Sequence, residues 1–155
     1  MPHKQFLHRL EVLTVARSWL GTPWHHHAHT KGRGCDCIGL VVETLRECSF
    51  EPTQGFVYPP YDRMPHGDEI TPYLKKYLEG PIPAGEELPG DVAQITWGKR
   101  FPMHLAFFGD YARGVIGKPL SLIHAMLIPG KVAEHIYADR WVTRTVGVYR
   151  IPGIT

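Results

Sequence analysis

The spacing of apolar residues changes near residue 90, and that change restricts what the chain can fold into. Before it, apolar positions recur at helical intervals. Phe6, Leu10, Leu13, Ala16 and Leu20 predict a helix over about Lys4–Leu20, with Gly21 as its stop and Pro23 beyond. Ile38, Val41, Val42 and Leu45 predict a second over about Cys37–Cys48, and Ile70, Tyr73, Leu74 and Tyr77 a shorter one over Asp68–Leu78. Between these two, residues 50–67 hold repeated Pro and Gly, Pro65 included, and read as an irregular loop anchored by Phe56, Tyr58 and Tyr61. After residue 90 come short runs bounded by Gly and Pro: Val92–Thr96, His104–Phe108, Leu122–Met126 and Val146–Ile151. They read as strands of an antiparallel sheet, while Lys131–Tyr137 fits either strand or helix. Helices first and strands afterwards predict an α+β fold, with the helices packed on one face of the sheet. At 155 residues and 43% hydrophobic content, without repeats, the chain reads as one domain over residues 1–155.

The second helix begins in a way that suits chemistry. Asp36, after the Gly-rich stretch of Gly32 and Gly34, is a preferred N-cap residue. Cys37 then falls in the first turn, where unpaired N–H groups and the helix dipole favour a thiolate. Of the other cysteines, Cys35 has no motif behind it, and Cys48 reads as a small hydrophobe. Three cysteines cannot all pair within one chain, so at least one thiol is free.

A thiolate that attacks an amide needs a base, a group to orient that base, and N–H donors for the oxyanion. His104 opens one predicted strand after the turn Gly98-Lys99-Arg100-Phe101-Pro102, and His124 lies within the next. If those strands pair, the two imidazoles meet beside Cys37. Other positions read blandly: Trp19, Trp97 and Trp141 as packing, Asp91 as a turn residue, and His3, His8, His66 and His135 as surface. A formal charge of +2 with scattered Lys and Arg argues against a nucleic-acid groove. No apolar stretch approaches the roughly 18 residues of a membrane span, and the N-terminal segment reads as amphipathic where a signal peptide would have an apolar h-region. Synthesis in the cytoplasm without a signal peptide is the expectation, and no cofactor is called for. A different class of function rests on His25, His27 and His29, whose alternation allows a zinc site completed by Cys35 or Cys37.

Five segments in order resemble the NlpC family of bacterial cell-wall cysteine peptidases, a branch of the papain-like superfamily. Ala16–Trp24 resembles the family's helix ending in a Gly-x-Pro-aromatic turn, and Gly34–Val41 its nucleophile motif. Leu88-Pro89-Gly90-Asp91-Val92 resembles the entry to its first core strand. Met103–Phe108 resembles its catalytic-histidine strand, and Ile123-His124-Ala125 the strand of its third polar residue. The resemblance implies Cys37 as nucleophile, His104 as general base and then acid, His124 as orienter, and Trp24, Asp36 and Ile38 beside the substrate. It implies hydrolysis of peptidoglycan stem peptides, commonly between the side-chain carboxyl of D-glutamate and a diamino acid. Trp24 stands where the family has Tyr, and Ile38 where it has Ser. The run His25-His26-His27-Ala28-His29 and the segment Trp141–Arg150 resemble the branch encoded with phage and gene-transfer-agent tails, which implies tail-tip partners and action in the envelope. The alternatives are a catalytically silent tail component, a cysteine acyltransferase or amidase on the same fold, and the His/Cys metal module.

Overall fold

The computed structural model describes residues 7–64, 66–98, 102–111 and 120–155. Expectations resting on His3, Lys4, Phe6, Pro65 and the turn residues Lys99-Arg100-Phe101 lie outside them. Helix α1 (Arg9–Ser18) buries Val12, Leu13 and Ala16, with Trp19 just past its end. Its inward face is turned relative to the predicted stripe: Leu10 is 67% exposed and Leu20 also faces solvent. Trp19 explains the turn, because its indole, at the C-cap of the helix, is a large apolar surface that draws that side into the core.

A hairpin of β1 (His29–Thr30) and β2 (Gly34–Cys35) leads into α2 (Cys37–Glu47), which buries Leu40, Val41, Val42 and Leu45. One helical turn, α3 (Glu51–Gln54), interrupts the loop expected to be irregular, and α4 (Thr71–Tyr77) follows. The remaining elements are β3 (Val92–Ile95), β4 (His104–Gly109), β5 (Ser121–Met126), β6 (Lys131–Ile136), the short α5 (Asp139–Val142) and β7 (Thr145–Tyr149). The five long strands form one antiparallel sheet in the order β6-β5-β4-β3-β7. The ambiguous Lys131–Tyr137 is therefore strand. All six residues of β6 pair with β5, which satisfies backbone groups that a helix there would leave unpaired.

Strand alternation divides the core. Val92, Leu105, Phe107, Ile123, Ala125, Val132 and Tyr149 pack with α1 and α2. Ala93, Ile95, Ala106, Phe108, Leu122 and Val148 point the other way and pack with Trp141 of α5. The fold is α+β, as the change of apolar period predicts. Asp91 accepts from the Leu88 amide at 2.8 Å, as a turn residue should. Its fully buried carboxylate also pairs with Arg9 and Arg150, each at 2.9 Å, tying α1 and the end of β7 to the entry of β3.

Candidate active site

Asp36 caps α2 as its sequence position predicts. One carboxylate oxygen accepts from the Gly39 amide at 2.8 Å. The other accepts from the His27 amide at 2.8 Å and from the Tyr61 hydroxyl at 2.5 Å. This 5%-exposed carboxylate therefore joins three segments: the helix start, the histidine-rich turn and the 50–67 loop. Gly39 is required at the same junction. A Cβ there would stand 2.4 Å from the Ala28 carbonyl oxygen, so only glycine lets the turn cross the first turn of α2.

Cys37 is half-buried at the base of a cleft of about 500 Å³, which wraps the end of the sheet where β4 begins and β5 ends. Its Sγ donates to the Met103 carbonyl at 3.5 Å. The thiol is pushed up to about 12, first by burial and then by the Asp36 charge, against the Leu105 and Ile38 amides, which favour the thiolate. This corrects the expectation of a thiolate in the resting protein. Desolvation outweighs the helix start and favours the neutral thiol.

His104 and His124 meet as the strand reading requires. His104 Nε2 lies 2.6 Å from His124 Nδ1, and both rings are buried. Burial holds both well below the ordinary histidine range, His104 at about 4. The resting pair is therefore neutral thiol and neutral imidazole. With Nε2 engaged, Nδ1 is the His104 nitrogen left for proton exchange.

Trp24, Asp36, Cys37, Ile38 and His104 all line the cleft, and His124 stands behind His104. Ile38 has a packing role as well. With Tyr61 and Met103 it lines both the cleft and an adjoining apolar cavity of about 280 Å³. Residues the sequence reading passes over also shape the site. Tyr61 presents a phenol beside Asp36, while Trp97 and Trp141 form the far wall. Arg63, Arg140 and Arg144 place guanidinium groups on the rim, stacked over Trp24, Trp141 and Trp97 at 5.0–5.4 Å.

The largest omission is His135, read from sequence as a surface residue. Its Nε2 lies 2.6 Å from His124 Nε2, and its ring packs on Trp141. The β5–β6 register brings this about: Leu122 faces His135 and His124 faces Ala133, so both histidines share one face of the sheet.

The histidine-rich turn does not gather ligands. His26 and His27 contact the Tyr61 and Pro59 carbonyls at 3.1 Å, and His29 stacks on Tyr58 at 4.2 Å. These contacts fasten the 50–67 loop over the helix start. Among the described residues no group of three His, Cys, Asp or Glu side chains is placed to hold a metal ion.

No family model and no curated protein matches the sequence. Its fold is similar to a solved structure, a protein described as similar to lipoprotein, of the NLP/P60 family, from Staphylococcus aureus subsp. aureus Mu50. The superposition has a TM-score of 0.60 at 14% identity and covers 92% of this chain. The fold is NLP/P60-like. The chain spans 41% of the length of that protein, so the likeness is to one part of it. Among the described residues no helix is long and apolar enough to cross a membrane.

Proposed function

We propose that this protein is a cysteine endopeptidase acting on peptide stems of bacterial peptidoglycan. One observation carries the reading: the 2.6 Å contact between His104 Nε2 and His124 Nδ1, which backs a base in the wall of the cleft that holds Cys37. In this reading His104 Nδ1 takes the Cys37 proton as Sγ attacks the scissile carbonyl. Amides at the start of α2 donate to the developing oxyanion. His104 then gives the proton to the leaving amine, and water releases the acyl group from Sγ. Burial favours the neutral thiol at rest, so in this reading the proton moves to His104 as Sγ attacks.

The rim supports an acidic peptide as substrate. Arg63, Arg140 and Arg144 offer guanidinium groups to free carboxylates of a stem peptide. The aromatic walls of Trp24, Trp97 and Trp141 suit its alanyl and diamino-acid portions. The scissile bond of this proposal joins the D-glutamate side-chain carboxyl to the diamino acid, and the setting is a phage-like tail acting locally on the wall. Trp24, Asp36 and Ile38 are the proposed substrate-side residues, Asp36 acting through the loop it anchors.

The test is mass spectrometry of fragments released from purified peptidoglycan by wild type and by Cys37→Ala. Wild type should release stems cut after D-glutamate, and Cys37→Ala, folded by circular dichroism, should release none. Wild type that releases nothing from several peptidoglycan types would favour the silent tail component. Equal release by the variant would exclude Cys37 as nucleophile.

A further inference from the structure

For three neutral rings the contacts among the histidines run in one direction, and the far end sets it. His135 Nδ1 lies 3.0 Å from the Ile136 carbonyl oxygen, which only accepts, so Nδ1 carries the proton. With a single ring proton, held on Nδ1, His135 has a bare Nε2. Across 2.6 Å, His124 Nε2 must donate to it, which leaves His124 Nδ1 bare. His124 Nδ1 in turn accepts from His104 Nε2–H, again at 2.6 Å. The outcome at the near end is a lone pair on His104 Nδ1.

We propose that His135 is a positioning residue: by accepting from His124 it holds His104 in the one tautomer able to take a proton from the Cys37 thiol. The proposal rests on reading Cys37 and His104 as nucleophile and base. Between neutral rings the reverse polarity would set two lone pairs 2.6 Å apart between His124 and His135, or would cost His135 its bond to Ile136. Trp141 resists such a turn, standing 5.1 Å from the His124 ring and 4.9 Å from the His135 ring. The chain of bonds ends on a backbone carbonyl, so it anchors a tautomer and does not conduct a proton to solvent.

Two-bond ¹⁵N–¹H spectra of histidine-labelled protein at neutral pH test this without turnover. Wild type should show His104 and His124 protonated at Nε2 and His135 at Nδ1. His135→Leu removes the acceptor, and His104 should then show a tautomer mixture, with kcat on a stem peptide lowered in proportion to the tautomer lost and KM unchanged. His135→Gln, whose Oε1 accepts, should restore both signals. His104 protonated at Nδ1 in wild type, or an unchanged tautomer in His135→Leu, would overturn the proposal. The expected spectra from an enzyme that cleaves no stem peptide would refute the peptidase reading and leave the His135 assignment intact.

Discussion

Alkylation of Cys37 by iodoacetamide should be slow at neutral pH and rise about tenfold per pH unit into the alkaline range. Burial and the Asp36 charge move the thiol from 9.0 to about 12. At a given pH that leaves about a thousandfold less thiolate. Thiolate reactivity grows with basicity at a slope of about 0.4–0.5, so each thiolate formed is about 20-fold more nucleophilic. The net expectation is a rate about 50-fold below that of an unperturbed cysteine thiol. The assay is timed quenching from pH 6 to 10 with peptide mapping, which separates Cys37 from the buried Cys35 and Cys48. A rate that levels off below pH 7, as a thiolate–imidazolium pair would give, refutes the reasoning. So does a neutral-pH rate matching free cysteine.

Other perturbations follow from the same packing. Gly39→Ala drives a methyl to 2.4 Å from the Ala28 carbonyl oxygen, so urea denaturation should show a loss of about 1–3 kcal/mol together with reduced cleavage. Unchanged stability would mean that the turn over α2 yields freely. Acid should weaken the fold through the buried histidines, whose folded pKa values lie below their unfolded ones. Between about pH 6.5 and 4 the unfolded chain binds the extra protons, so stability is lost as pH falls; for His104 alone it drops by about 2 kcal/mol from pH 7 to 5. A flat urea midpoint over that interval would show that these rings are not buried neutral.

Features fixed by local chemistry are legible in the sequence. The cap at Asp36 needs only a carboxylate placed before a helical apolar run, and the structure places that helix at Cys37–Glu47. The meeting of His104 with His124 follows from two adjacent strands. His135 is illegible because its partner depends on the β5–β6 register, which no local residue pattern sets. The phase of α1 depends on which large side chain reaches the core first, and Trp19 outcompetes Leu10 and Leu20 there. The raised Cys37 thiol is hidden for a related reason, since the helix start is visible in sequence and the burial of the thiol in the folded chain is not. The NLP/P60-like fold agrees with the order of the motifs.

The central claim is that Cys37 carries the acyl half of a cleaved stem peptide. Wild-type protein mixed with a synthetic peptide containing the γ-D-glutamyl–diamino acid bond, quenched in acid within milliseconds, can be weighed intact. A thioester adduct with the mass of the N-terminal fragment, mapped to Cys37 and lost in Cys37→Ser, is the predicted result. Unmodified protein beside intact peptide at every time point would contradict it.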